Sequence, residues 1–184
     1  EGAEDRRADA RAVVRRRVRA GDVVVGISAS GVTPFVDEAL TTARGRHAST
    51  ILITCHPRTA IPAHVRIALS VGPELLTGST RLKSGTATKL VLNMLTLGAM
   101  AQCGKTYGNL MVDVRPTSRK LRARAVGIVR TLTGCSARAA ARWLRAAGGR
   151  VPVAVLMARP GLTYPAARRR LAAANGSLRH ARQH

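Results

Sequence analysis

Aromatic residues are nearly absent from this chain: one Trp, one Phe and two Tyr make up 2% of its 184 residues. Hydrophobic residues still amount to 46%, so a core must be built from Val, Leu, Ile, Ala and Met. That composition favours an α/β or α architecture over an aromatic-rich sandwich. No apolar run reaches the roughly 18 residues of a membrane helix, so no membrane span is expected. The first nine residues carry four acids, whereas a signal peptide opens on basic residues and continues apolar. Cysteine is sparse as well. Cys55, Cys103 and Cys135 stand apart, with no C-x-x-C pair and no His at ligand spacing. The pattern argues against a disulfide framework or a metal site and for reduced thiols in a cytoplasmic protein. Neither a dinucleotide fingerprint nor a P-loop is present, and no cofactor is expected.

Lysine and carboxylates are the other scarcities. Only Lys83, Lys89, Lys105 and Lys120 are lysines among 31 basic residues, and acids number nine. After Asp113 there is no carboxylate at all, while sixteen basic groups follow from residue 115. The net charge is +22, enough to attract nucleic acid or an anionic surface through a salt-dependent, sequence-independent term. An Arg- and Ala-rich, Lys-poor chain is also what GC-rich codons produce. Stacking platforms interleaved with the cations, the mark of single-strand binders, are missing. The reading therefore favours solvated helix faces over a polyanion contact, which stays open.

The length suffices for one ordinary domain, or a small domain with an appendage. Residues 5–19 form a charged helical stretch with a thin apolar line of Val13, Val14 and Val18. Gly21-Asp22 punctuates it, and Val23-Val24-Val25-Gly26-Ile27 follows as a continuous apolar run, the pattern of a buried parallel strand. Pro34 suits the first turn of a helix running to about residue 44. Further strands are expected at 50–54 and 66–71, giving strands that alternate with helices as in a parallel sheet. Residues 78–104 hold the longest helical pattern, apolar around nearly its whole circumference in its second half, which predicts a buried helix. A basic helical stretch is expected after Gly108-Asn109. Three short helices should then close the chain: 137–147 capped by Ser136, an apolar segment 151–157, and one capped by Thr163. Their shape and spacing resemble a three-helix module of the ubiquitin-associated type at about 136–176.

Two clusters carry candidate chemistry. Ser28-Ala29-Ser30-Gly31-Val32-Thr33 lies where a strand hands over to a helix. There, hydroxyls, backbone amides and the helix dipole can meet a phosphate, and Gly31 would let the backbone come close. The plain alternative is an ordinary helix cap. A nucleophile elbow is excluded, because its second Gly would fall at Ser30. The second cluster is Gly72-Pro73-Glu74 followed by 77–86, where Ser79, Thr80 and Lys83 are placed to grip an oxygen-rich sugar. Here the alternative is a capped helix start with solvated cations.

Residues 21–34 and 71–94, which contain these clusters, together with 104–114 and 133–136, resemble the N-acetylmuramic acid 6-phosphate etherases, over nearly the whole chain. The resemblance implies a SIS-type (sugar isomerase) parallel sheet flanked by helices over 1–115, followed by a basic helical region, 116–184. It implies removal of D-lactate from N-acetylmuramic acid 6-phosphate by elimination and hydration, leaving N-acetylglucosamine 6-phosphate. Two glutamates do the acid–base work in that family. One belongs to a Glu-Gly-Ala-Glu-Asp segment, matched by Glu1-Gly2-Ala3-Glu4-Asp5, so Glu4 inherits the role; its plain alternative is a frayed terminal carboxylate. A sugar-phosphate substrate, no cofactor and a homodimer are implied with it.

The family pattern also has parts that find no counterpart. Its other glutamate, in an Asp-Ala-Ser-Glu segment, and its first phosphate loop would lie upstream of residue 1. The resemblance thus implies that about a hundred family residues, with at least the first strand of the sheet, are missing, leaving the sheet N-terminally incomplete. Val32 stands for a usual Arg, removing one charge-assisted contact to phosphate, and His56 stands for a usual Asn. The glucokinase regulatory protein, built from similar domains, binds sugar phosphates without this chemistry. An inactive sugar-phosphate-binding fragment is therefore the alternative reading.

Overall fold

The computed structural model describes residues 2–183; Glu1, part of the matched acidic segment, lies outside them. Two compact units divide the chain, residues 1–93 and 94–184.

The first unit is α/β. Helix α1 (Arg7–Arg17) precedes strand β1 (Val23–Ile27), helix α2 (Pro34–Gly45), strand β2 (Ser49–Thr54) and strand β3 (Val65–Ala68). The strands form one parallel sheet in the order β1-β2-β3, with Val25 beside Ile51 and Ile53 beside Ile67. Gly26 makes the β1–α2 contact possible: a Cβ there would stand 2.8 Å from Val36 Cγ1 and 2.9 Å from Leu40 Cδ1. Leu40, Leu52 and Ile61 then close a small core with Val24 and Val36. Val14, Ala43 and Ala48 form another where α1 meets α2.

The continuous apolar run of β1 is not buried on both faces as expected. Val24 and Gly26 face α2, but Val23, Val25 and Ile27 remain 59%, 40% and 44% exposed. Such a run has the composition of a strand covered on both sides, while α2 packs on one side of the sheet.

Helix α3 (Lys83–Gln102) runs across the division between the units. Its apolar circumference predicted burial, yet Leu90, Met94, Leu97 and Met100 are each more than half exposed. Only Ser84 of this helix is buried. Composition reports a helix's capacity to be buried, and burial itself needs neighbouring elements that the described residues do not bring to α3.

In the second unit a hairpin precedes the helices. Strands β4 (Thr106–Tyr107) and β5 (Leu110–Met111) pair across Gly108-Asn109, with Gly108 at φ +58°. The helical run expected there starts later, at α4 (Arg119–Thr133), capped by Ser118, whose hydroxyl accepts the Leu121 N–H at 3.2 Å. Helices α5 (Ala137–Ala146), α6 (Val151–Met157), α7 (Tyr164–Ala173) and α8 (Leu178–Gln183) follow. Every residue of α6 is buried, and α4, α5, α7 and α8 all pack on it. Ser136 caps α5 as expected, accepting the Ala139 N–H at 3.2 Å. Thr163 occupies the cap position of α7 but its hydroxyl makes no cap bond. Among the described residues no helix is long and apolar enough to cross a membrane.

Charge pairing fastens α1 to α2. Arg7 reaches Asp37 at 2.8 Å and Arg11 reaches Glu38 at 2.7 Å. The Arg11 hydrogen bond, helped by the Thr42 hydroxyl and the charges of Arg11 and Arg7, holds the Glu38 carboxyl below the usual carboxylate range despite its partial desolvation. A carboxyl depressed in the folded state contributes stability above its unfolded pKa, roughly 4.3, and loses that contribution as pH falls through the folded value. Glu38→Gln should therefore lower the urea midpoint at neutral pH. The gap from the parent protein should shrink steadily below about pH 4. A gap independent of pH between neutral and strongly acidic solution would show that the ion pair adds nothing.

Candidate functional site

The connection from β1 to α2 is six residues long, and a buried serine organises it. Ser28 is 3% exposed. Its Oγ accepts the Gly31 N–H at 3.1 Å, receives a long contact from the Thr33 N–H at 3.4 Å, and lies 2.8 Å from Thr33 Oγ1. Its own N–H donates to the Ile53 carbonyl at 3.0 Å, tying the loop to β2. Ser28 and Thr33 thus spend much of their hydrogen-bonding capacity on the loop itself.

Gly31 faces elsewhere. At φ +73°, it presents its α-carbon to the β2–β3 connection, where a Cβ would stand 2.9 Å from Thr59 Cβ. Its carbonyl accepts the Thr59 hydroxyl at 2.6 Å. The sequence places this glycine toward an anion; in the structure the neighbouring loop requires it, and it lines a separate cleft with His56 and Arg58. Ser30 is the exposed hydroxyl of the loop, holding only a 3.4 Å contact from the Val32 N–H.

Glu4 reaches the same place from the other side. Its backbone carbonyl accepts the Phe35 N–H at 2.9 Å, the first amide that α2 can offer because Pro34 has none. With Arg7 paired to Asp37 nearby, the segment ahead of α1 is held at the N-terminus of α2 and not left to fray. A cleft of about 510 Å³ results, lined by Glu4, Ser28, Ser30, Thr33, Gly78 and Thr80 together with the apolar Ile27, Phe35 and Val36.

Besides Gly31, two expected residues stay out. Lys83 donates from Nζ to the Pro73 carbonyl at 2.6 Å and does not line the cleft. Ser79 sits in a turn, its N–H on the Leu76 carbonyl at 3.0 Å, next to the lining Thr80. Among the described residues no Lys or Arg lines the cleft, and Glu4 is its one carboxylate. Nor do three His, Cys, Asp or Glu side chains gather anywhere among them to hold a metal ion.

Sequence reasoning gave no role to Glu74. Its Oε1 accepts the Ser84 N–H and its Oε2 the Lys83 N–H, both at 3.0 Å. Those amides, Ser84 first, hold its carboxyl below the usual range. A carboxylate nine residues ahead of the helix it caps leaves no short motif to read.

Residues 7–98 match the SIS domain. The chain belongs to the SIS-domain family. Its relatives sharpen the match. The chain is 50% identical to an N-acetylmuramic acid 6-phosphate etherase of Synechocystis over 184 residues, covering 98% of this chain and 60% of that protein. A protein of the same name from Gloeobacter violaceus is 54% identical over 160 residues, 85% of this chain and 52% of the relative. N-acetylmuramic acid 6-phosphate etherase 2 of Vibrio cholerae is 51% identical over 162 residues, 87% and 53% respectively. The chain therefore spans between about half and three fifths of these relatives' lengths. Both α1 and the hydroxyl loop fall inside the SIS match, and Glu4 lies just ahead of it.

The loop geometry separates its two serines. Ser28→Ala should cost about 1–3 kcal/mol, since two loop amides lose a buried acceptor. Ser30→Ala, at an exposed hydroxyl, should stay within about 0.5 kcal/mol of the parent. Urea unfolding of the two variants checks this; equal effects would mean that Ser28 is not the organising residue.

Proposed function

We propose that this chain carries the part of an N-acetylmuramic acid 6-phosphate etherase that holds the phosphorylated amino sugar and supplies one acid–base group, Glu4. The observation that carries the reading is the meeting of Glu4 with the hydroxyl loop in one cleft, together with about 50% identity to proteins of that name. On this reading Ser30, Thr33 and Ser28 hold the 6-phosphate, with Gly31 shaping the loop. Thr80 contacts the sugar, Ser79 supports Thr80, and Lys83 steadies the segment that carries both.

The reaction needs little beyond positioned protons. A base removes the proton next to the aldehyde of the open-chain sugar, and the electron pair expels the lactyl oxygen, which takes a proton from an acid. Water then adds to the double bond, giving N-acetylglucosamine 6-phosphate and D-lactate. Glu4 serves as one of the two groups. The working protein is read as a cytoplasmic homodimer, with residues 1–115 as a partial SIS domain and 116–184 as a basic helical region.

A second reading, binding without turnover, has its own support. Elimination needs both a base and an acid, and Glu4 is the cleft's one carboxylate among the described residues. The two readings part in one experiment. The chain alone should bind N-acetylglucosamine 6-phosphate but release no lactate when given N-acetylmuramic acid 6-phosphate. Preceded by the portion of the Synechocystis relative that it leaves uncovered, it should release D-lactate. Glu4→Gln should then reduce turnover by about a hundred- to ten-thousand-fold. Ser30→Ala should weaken the phosphorylated sugar about tenfold while barely changing the unphosphorylated one. Unchanged turnover in the Glu4 variant would remove Glu4 from the chemistry, and no turnover in the completed protein would favour the second reading.

A further inference from the structure

Between Leu69 and the start of α3 the chain forms neither helix nor strand. Gly72 and Gly78 take left-handed φ of +66° and +84°, and Leu75 is 90% exposed. A segment so open depends on the bonds that tie it to the regular structure beside it. Two of them meet at Glu74. Both carboxylate oxygens accept the first amides of α3, Lys83 and Ser84, at 3.0 Å, and Ser84 is buried. The Lys83 ammonium closes a second link to the Pro73 carbonyl at 2.6 Å. The segment is thereby drawn into a loop, and the tip of that loop, Gly78 and Thr80, lines the cleft with Glu4 and Ser30.

We infer that Glu74 is a positioning residue of the sugar-phosphate site: its carboxylate staples the loop to α3, sets Thr80 in the cleft wall and fills the amides at the start of α3. Two helix starts border this region, and unfilled N-terminal amides attract anions. With its own carboxylate seated on one of them, the protein leaves an incoming phosphate the hydroxyl loop before α2. The inference rests on the reading of the cleft as a phosphorylated-sugar site, and its test is built to fail separately from that reading.

Amide hydrogen exchange across residues 75–84, with and without formate, should be followed in the parent chain, Glu74→Ala and Glu74→Gln. Calorimetric titration with N-acetylglucosamine 6-phosphate accompanies it. Glu74→Ala should speed exchange at Lys83, Ser84 and 76–80 and weaken the sugar phosphate about tenfold or more, as expected for lost charge-assisted bonds. Formate, a small carboxylate able to enter the vacated space and accept both amides, should restore slow exchange and tighter binding in that variant but not in the parent. Glu74→Gln, keeping one acceptor oxygen, should fall between. Unchanged exchange, loosening with unaltered sugar affinity, or loosening that formate does not relieve would each overturn the inference. Absence of sugar binding by the parent would instead sink the cleft reading, and the exchange and formate results would still decide whether Glu74 staples the loop.

Discussion

The rest of the first unit depends on how closely α2 lies against β1. Gly26 has no side chain, and a methyl group in its place would press into Val36 and Leu40 at under 3 Å. Glycine inside a strand gives up packing and backbone order, so its presence here reflects the need for close approach. Once α2 sits that near, Leu40 reaches Leu52 and Ile61, and only six residues are left to turn from strand to helix. So short a turn cannot hydrate all its amides. Ser28 satisfies the Gly31 amide from inside and supports Thr33, which leaves Ser30 as the loop's outward hydroxyl. The site is a by-product of a packing constraint.

Carboxylates are few in this basic chain, and most are committed to structure. Asp37 and Glu38 bind α1 to α2, Asp113 pairs with Lys105 at 2.7 Å, and Asp22 accepts the Arg19 N–H at 2.8 Å. Glu74 fastens the loop before α3. Exposed pairs of this kind are individually weak, typically under about 1 kcal/mol, but a side chain so engaged is occupied. Glu4 differs. Its backbone is held through Phe35, the residue lines the cleft, and among the described residues no hydrogen bond or ion pair engages its carboxylate.

Local pattern carried much of this into view. Strand–turn–helix alternation placed β1, α2 and β2 within a residue or two, because each is bounded by Gly, Pro or Asp. The hydroxyl loop was legible because its position between strand and helix fixes what it can do. The orientation of Gly31 was not, since Thr59 approaches from 28 positions away. Nor could a pattern show that α3 and one side of β1 stand open: hydrophobicity records a demand for cover, and supply depends on which other segments arrive. Glu74 and Lys83 stand beside recognisable motifs, yet their roles follow from bonds to amides and a carbonyl nine or ten residues away. Such bonds depend on how an irregular loop closes, which no periodicity encodes.

The composition of the cleft bears on how it would hold an anion. No cation among the described residues lines it, and Val32, 72% exposed, stands where the resemblance leads one to expect Arg. A phosphate there would be met by hydroxyls and loop amides at the positive end of α2, each hydrogen bond to the charged group contributing about 1.5–3 kcal/mol. The helix terminus itself adds about 0.3–1 kcal/mol. Such contacts are short-ranged and directional, so they discriminate by geometry. The long-range attraction comes instead from the net charge of +22, spread over arginines outside the cleft and screened within about 10 Å at 0.1 M salt. Charge that acts at a distance speeds encounter more than it strengthens the bound state. On the proposed reading, then, the two would divide the work: the net charge would draw anions in without selecting among them, and the hydroxyl loop would select.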